Sequence, residues 1–286
     1  MSESLQVDVY VAPPIPAATG NDDPAKSIWS PISCTLIQGP HSAVIADTPI
    51  SVDQTTDLAE WIEKTAPGKK LTYIFITHAH TDHFGGAPVL LQRFPGVKLV
   101  ATRTVAEAIK ERELSEQRRA LWNRLFPSGQ LPKEQIVPEF LPELSNEFIL
   151  DGHVLKAIDV EHSDTHATSF LHVPDLRLVV GGDIVYGECY QFLADANTTE
   201  KRQQWIDALD KIAALDPAIV VPGHKRTTQA DGPYLIEATK KYIRVFEEEL
   251  KKAKNASELE EAMKKRYPTR WNEWILERSC IASFST

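Results

Sequence analysis

The chain has 286 residues, 42% of them hydrophobic and 25% charged, so it can bury a core and is not typical of a disordered protein. Its formal net charge is −9 and no block of Lys or Arg stands unbalanced, which argues against a sequence-independent grip on nucleic-acid phosphates. No apolar run approaches the roughly 20 residues of a membrane span, and three widely spaced cysteines favour reduced thiols. We therefore expect a cytoplasmic protein that binds neither nucleic acid nor a membrane.

Strands and helices alternate in the first half of the chain. Residues 5–12 alternate as a half-buried strand does, and SCTLIQG and SAVIADT flank the turn-like GPHS as in a hairpin. SVDQTTDLAEWIEKTAP begins with capping residues and has helical spacing of apolar residues, which predicts a helix. LTYIFI predicts a strand buried on both faces, VKLVAT predicts another strand, and a long amphipathic run covers residues 104–126.

The second half predicts two hairpins followed by helices. FILDGHVLKAIDVEH bends at Asp151-Gly152, and SFLHVPDLRLVVGGD bends at Pro174-Asp175. TTEKRQQWIDALDKIAAL is a predicted helix, and PAIVVPGH is a short apolar strand that ends in a histidine. Residues 234–265 have a helical pattern that is interrupted near Asn255. The mixture of strands and helices predicts an α/β protein.

Three histidines and an aspartate occupy positions 78–83 in THAHTDHFGG, directly after the strand LTYIFI. His78 and His80 are two apart, so an extended backbone would aim both to one side, while Asp82 and His83 follow in the turn. One metal ion cannot easily take all four, but two adjacent ions could, if other side chains complete each shell. Three later predicted strand ends offer such side chains: His162 in VEHSDTH, Asp183 in VVGGD and His224 in VVPGH.

This pattern, HxHxDH with a later His, a GD after an apolar strand and a final GH, resembles the metallo-β-lactamase superfamily over roughly residues 34–230. The resemblance implies a four-layer αβ/βα sandwich, in which two mixed sheets pack face to face with helices outside and the metal site at one edge. It also implies a single domain over residues 1–286, with 232–286 as a carboxyl-terminal helical extension packed on it. Length alone would suggest about two domains.

Carried over to this chain, the resemblance implies two zinc ions. His78, His80 and His162 would hold the first ion, Asp82, His83 and His224 would hold the second, and Asp183 would bridge them. Many members of the family have GHTPG where this chain has EHSDTH, so His166 competes with His162. We favour His162 because it directly follows a predicted strand and lies 21 positions before Asp183, and we expect His166 to line the pocket.

The resemblance further implies a hydrolase of small molecules that uses a metal-bound hydroxide. Aspartate rather than cysteine at the bridging position is similar to the lactonase, glyoxalase II and phosphodiesterase branches, and the block 159–186 resembles γ-lactamases that open benzoxazolinone-type rings. We therefore expect the opening of a lactone or lactam. Asp82 would steer a proton to the leaving atom, and Tyr186 and Tyr190 either donate to an oxyanion or pack in the core.

Other functions stay open. A glyoxalase II-like thioesterase would need positive charge for a glutathione carboxylate, which Lys225 and Arg226 beside His224 could supply. A phosphodiesterase, a metal-binding scaffold without turnover and a di-iron oxidoreductase are further alternatives, although the last branch usually has an acidic residue where His80 stands. Trp271 and Trp274 either dock the last helix on the body or bury a homodimer seam.

Overall fold

The computed structural model describes residues 4–142 and 144–285. Its strands, in chain order, are β1 (Gln6–Ala12), β2 (Ile15–Pro16), β3 (Ile28–Trp29), β4 (Ile32–Gln38), β5 (Ser42–Ala46), β6 (Lys70–Phe75), β7 (Lys98–Ala101), β8 (Glu139–Phe140), β9 (Glu147–Leu150), β10 (His153–Val160), β11 (Thr168–Val173), β12 (Leu178–Val180) and β13 (Ile219–Val221). The α-helices are α1 (Val52–Thr65), α2 (Thr81–Phe84), α3 (Ala87–Arg93), α4 (Arg103–Ala108), α5 (Glu116–Leu125), α6 (Thr199–Ala213), α7 (Tyr234–Leu250), α8 (Ala256–Arg266) and α9 (Glu273–Ser283).

Two mixed sheets form the centre of the molecule. The first has six strands in the order β1-β4-β5-β6-β7-β8, antiparallel from β1 to β5 and parallel from β5 to β8. The second has five strands in the order β13-β12-β11-β10-β9, with only β13 and β12 parallel to each other. Strands β2 and β3 pair separately as a short ribbon.

The sheets pack face to face, and helices cover both outer faces. Between the sheets, Val44 and Phe75 of the first share one buried cluster with Leu155 and Leu171 of the second. The helices α1, α3 and α4 cover the outer face of the first sheet, and α6, α7, α8 and α9 contribute to the cluster on the outer face of the second. The predicted αβ/βα sandwich is therefore confirmed.

The predicted hairpins and most predicted helices are also confirmed. Ser51 caps α1 by accepting a hydrogen bond from the Gln54 amide. The amphipathic run over residues 104–126 is not one helix, however. It breaks at a π-helical turn, Ile109–Glu113, after which Ser115 caps α5. A capping serine offers its hydroxyl to the amides of a new helix start, which favours ending one helical segment and beginning another there.

The last helices pack on the body of the protein. Buried residues of α7, α8 and α9 share one cluster with Trp205 of α6 and Val179 of β12. Asn255 caps α8, where the sequence predicted an interruption. In the parts of the chain that the structure describes, no helix has the length and apolar character needed to cross a bilayer.

Candidate metal centre

The two sheets meet at the segment that follows β6. The Ser169 amide donates to the Thr77 carbonyl at 2.8 Å, and the Ala79 amide donates to the Ala167 carbonyl at 3.1 Å. His78 therefore pairs with Thr168 as an isolated antiparallel bridge. Because this pairing joins the end of β6 to the start of β11, it brings the histidine-rich segment against the second sheet.

The backbone of that segment changes from extended to helical within a few residues. His80 is extended (φ −113°, ψ 135°), and the single turn α2 begins at the next residue. His78 and His80 thus lie on the extended part, whereas Asp82 and His83 lie on the turn, as the sequence predicted. All four side chains are buried.

His78 and His80 converge with Asp164 to form the first group. Asp164 Oδ2 lies 2.8 Å from His80 Nδ1 and 3.7 Å from His78 Nε2. One ligand-type atom from each of the three residues lies within 4.8 Å of the other two. Two imidazoles and a carboxylate at this separation suit a cation such as Zn²⁺.

Asp82, His83 and His224 form the second group, with the same mutual limit of 4.8 Å. His224 Nε2 lies 3.6 Å from Asp82 Oδ2 and 3.3 Å from His83 Nε2. Asp183 lies among them, with Oδ1 3.2 Å from His83 Nε2 and Oδ2 3.3 Å from His224 Nε2. The rings of His78 and His83 are 4.3 Å apart, so the two groups adjoin.

Glycine allows the strand ends that carry Asp183 and His224 to come together. The Gly223 amide donates to the Gly182 carbonyl at 2.8 Å, which ties the GGD turn to the PGH turn. A Cβ on Gly223 would overlap Oδ1 of Asp183. Gly182 has a φ of +48° and faces Thr77 so closely that a Cβ there would overlap that side chain.

A buried carboxylate orients His83 from behind. Asp47, which follows β5, accepts hydrogen bonds at Oδ1 from the Thr77 amide (2.8 Å) and at Oδ2 from the Thr77 hydroxyl (2.7 Å). Its Oδ2 is also 3.0 Å from His83 Nδ1. A proton on Nδ1 leaves Nε2, which faces Asp183 and His224, as the atom able to bind a cation.

Electrostatics couple the histidines to the carboxylates. Burial lowers the pKa of His78, and the neighbouring His83 lowers it further. Burial would also lower the pKa of His80, but Asp164 outweighs that effect and raises it to about 9. For Asp183, burial would raise the pKa, yet His224 and His83 hold it well below its usual range. The site is thus a negative centre that favours positive charge.

The same residues carry polar atoms that nothing else satisfies. Among the described residues, no hydrogen-bond partner reaches His78 Nε2 or His80 Nε2, both of which are buried. The buried oxygens Asp164 Oδ2 and Asp183 Oδ1 face only histidine nitrogens of the same site. Buried polar atoms normally have partners, so two unpartnered imidazole nitrogens beside two such carboxylates need an explanation. Bound cations would supply it, and the donor set fits zinc.

Comparison with known proteins identifies the family. The model of the metallo-beta-lactamase superfamily matches residues 27–224, more than half of the chain. The chain belongs to this superfamily. A metal-dependent hydrolase of Thermofilum pendens is 29% identical over 172 residues, which cover 56% of this chain and 65%, just under two thirds, of that protein. A metallo-beta-lactamase type 2 of Bacteroides fragilis is 28% identical over 229 residues, 78% of this chain and 79% of that protein.

The fold comparison agrees with the family. A metallo-beta-lactamase family protein of Thermus thermophilus has a TM-score of 0.64 at 16% identity, covering 95% of this chain and 91% of that one. Another metallo-beta-lactamase, from Pontibacter korlensis, has a TM-score of 0.60 at 17% identity, covering 85% of this chain and 96% of that one. At these identities the likeness concerns the fold.

Of the seven ligands that the superfamily pattern predicts, the structure brings together all but His162. His162 is buried, with Nδ1 2.6 Å from the Ser163 carbonyl, and it belongs to no group of converging ligand-type atoms in the described chain. Asp164 occupies the place beside His78 and His80 instead. The loop after β10 turns at once, with the Ser163 amide bonded to the Thr165 carbonyl, so residue 164 is the one beside His80. His166 is exposed and does not line the pocket described below.

A pocket opens onto both groups and has aromatic walls. His80, Asp82, Asp183 and His224 lie in its lining. Its aromatic rings are Trp29, Trp122, Trp274, Tyr186, Tyr190 and Phe192. These rings come from β3, from α5, from α9 and from the segment after Asp183, which are far apart in sequence.

Three of the aromatic residues are hydrogen-bonded, two of them to aspartates of the metal site and the third away from it. Trp29 Nε1 donates to Asp82 Oδ2 at 3.0 Å, and the Tyr186 hydroxyl donates to Asp183 Oδ2. Burial and the Asp183 charge raise the pKa of Tyr186 well above its usual value, so it stays a donor. The Tyr190 hydroxyl donates to the Tyr267 carbonyl at 2.7 Å, which commits it elsewhere.

Proposed function

We propose that this protein is a zinc-dependent hydrolase that opens a small cyclic ester or amide, and that a flat aromatic lactam of the benzoxazolinone type is its first candidate substrate. The observation that carries the proposal is the aromatic-walled pocket whose floor is lined by His80, from the first group of ligand-type atoms, and by Asp82 and His224, from the second. A planar ring fits between aromatic walls, and its carbonyl would then face the metal groups.

His78, His80 and Asp164 would hold one zinc ion, and Asp82, His83 and His224 would hold the other, with Asp183 between them. Two zinc ions would supply polarisation of the carbonyl and a bound water with a pKa near 7. The protein itself would orient the reacting groups. Trp29 fixes one oxygen of Asp82, and Tyr186 fixes one oxygen of Asp183, so each carboxylate has a defined rotamer.

Asp82 is the residue to which we assign proton transfer to the leaving atom. It lines the pocket, and it is in contact with both the Trp29 indole and the His224 ring. A carboxylate at that position can take a proton at the oxygen that the substrate meets and deliver it to the departing nitrogen or oxygen. As a proposed ligand it would act more weakly than a free carboxylate.

The thioesterase alternative has less support. The Lys225 ammonium pairs with Asp231 at 2.7 Å and is almost completely buried. Arg226 pairs with Glu188 at 3.1 Å and donates to the Thr269 carbonyl. Both cations therefore have partners within the chain, and neither lines the pocket. The Bacteroides fragilis relative is named a metallo-beta-lactamase, so a β-lactam is a necessary comparison substrate.

One panel of assays tests the proposal. Purified protein is first analysed for metal, then given lactones, lactams including benzoxazolinone, a β-lactam, a thioester and a phosphodiester, each with and without chelator. We expect about two zinc ions per chain and chelator-sensitive opening of an aromatic lactam or lactone. Hydrolysis that survives complete removal of metal would contradict the proposal.

Variants give the matched controls. His80→Ala and Asp183→Ala each remove a proposed ligand, so turnover should be lost. His41→Ala changes an exposed histidine that does not line the pocket and should retain wild-type turnover. Wild-type activity in either ligand variant would refute the assignment of the site.

A further inference from the structure

Arg118 of α5 is the only arginine or lysine that lines the pocket within the described chain. We infer that it selects the substrate: its guanidinium binds a carboxylate carried on the aromatic ring, separate from the carbonyl that is hydrolysed. The inference rests on the proposed function and narrows its substrate class to planar aromatic lactones or lactams with an anionic substituent.

The guanidinium is held in place by a buried acid. Arg118 Nε lies 3.0 Å from Glu113 Oε1, and Nη2 lies 3.1 Å from Oε2. Glu113 is 1% exposed and also accepts hydrogen bonds from the Thr81 hydroxyl (3.2 Å) and the Trp122 indole (3.5 Å). A guanidinium that is hydrogen-bonded through two of its nitrogens cannot rotate freely, so its third nitrogen has a defined position.

That third nitrogen, Nη1, makes no hydrogen bond or ion pair with any described residue, while the Arg118 side chain is still 28% exposed. The surrounding pocket wall is otherwise apolar on this side, with Trp122 and Leu121 from the same helix. A ligand that fills the pocket displaces water from Nη1, and leaving a charged donor without an acceptor is costly. A carboxylate on the ligand satisfies the donor and matches its charge.

The floor of the pocket explains why the carboxylate must be a separate group. Asp82 and Asp183 line the floor, where we place the carbonyl under attack. Arg118 belongs to helix α5, whereas Asp82 and Asp183 of the floor belong to the turns after β6 and β12. One flat ring can therefore present its carbonyl to the floor and a substituent to Arg118.

Calorimetric titration with two unreactive probes tests the inference on the full-length, zinc-loaded protein. The probes are 1-naphthoate, which has a ring and a carboxylate, and 1-naphthalenemethanol, which has the ring without the charge. For Arg118→Gln we expect naphthoate affinity to fall about 10- to 100-fold, the usual worth of a hydrogen bond to a charged group. The affinity of the alcohol should change less than about 2-fold. Arg124→Gln, on the exposed side of the same helix, should alter neither.

Unchanged naphthoate binding by Arg118→Gln would overturn the inference, because the carboxylate would then be bound by zinc or by the rings alone. An equal loss for both probes would overturn it too, since the arginine would then only shape the pocket. If Arg118→Gln does not fold, Arg118→Lys carries the same comparison, because one ammonium cannot satisfy both Glu113 and the ligand. Hydrolysis is measured separately from probe binding. If Arg118 proves not to bind the naphthoate carboxylate, the proposed hydrolase function still stands. If no substrate of the panel is hydrolysed, the binding of the two probes is still decided by the titration.

Discussion

Replacing Asp47 by Asn should weaken zinc binding without touching a proposed ligand. Asp47 is 1% exposed and serves Thr77 at two atoms and His83 at one. If the amide oxygen keeps the Thr77 N–H, the amide nitrogen faces His83 Nδ1. Two N–H groups cannot face each other, so the His83 proton would move to Nε2, the atom that a metal needs bare.

The expected size follows from those contacts. Loss of an orienting partner of a metal-binding histidine commonly lowers metal affinity about 10- to 100-fold. The strained hydrogen bonding of a buried group should also lower the free energy of unfolding by about 1–3 kcal/mol. The substitution keeps the shape of the side chain, so no cavity adds to this loss.

Zinc competition against a chromophoric chelator measures the affinity, and urea unfolding of chelator-treated protein measures the stability. The control is Asp57→Asn, which makes the same chemical change on the exposed face of α1. Zinc affinity and stoichiometry equal to wild type in Asp47→Asn would show that Asp47 does not set the His83 tautomer.

Three further predictions address other parts of the site. Trp29→Phe keeps an aromatic wall but removes the indole donor to Asp82, so turnover of a substrate should fall about 10-fold. Phe126→Leu changes a neighbouring ring away from Asp82, so it should change turnover less. Equal effects of the two substitutions would mean that only packing matters. Gly223→Ala places a methyl group against Asp183 Oδ1, so the zinc content should drop in a protein whose circular dichroism is unchanged. Gly68→Ala, at an open position, should retain full zinc. Full zinc occupancy in Gly223→Ala would contradict the close approach of residue 223 to Asp183. Burial raises the pKa of all three thiols, that of Cys189 to about 12. Because only the thiolate reacts, Ellman's reagent at pH 8 should label the native protein slowly. After unfolding it should label all three cysteines. Rapid labelling of a native thiol would refute that assignment.

Local patterns predicted an α/β protein and the position of the histidine-rich segment, and the resemblance to the superfamily supplied the sandwich. Apolar runs identified the strands, and histidines directly after LTYIFI had to lie at a sheet edge. His83, Asp183 and His224 come together as expected, since each follows a strand or the turn behind one.

What the sequence did not reveal depends on turns and on distant packing. Asp164 rather than His162 reaches His80 because the backbone turns within VEHSDTH, and strand ends alone cannot tell which residue of a turn points inward. Asp47 directly follows the apolar run SAVIA, the same signal that Asp183 carries, but its role depends on contacts with Thr77 and His83 that the sequence does not show. The meeting of Trp29, Trp122 and Trp274 joins segments that no local pattern connects.

The metal centre depends on the contact between the two sheets, which is made by the hydrogen bonds between Thr77 and Ser169 and between Ala79 and Ala167. Residues 78–83 follow a strand of one sheet, whereas Asp164, Asp183 and His224 follow strands of the other, so any motion that separates the sheets also separates the donor atoms. By mass action, a cation that binds only when the donor atoms are together stabilises the state in which the two sheets are in contact. Zinc would then hold the two sheets together at this contact. Hydrogen exchange of the Ala79 and Ser169 amides, which reports the opening of the contact, should slow as zinc is added.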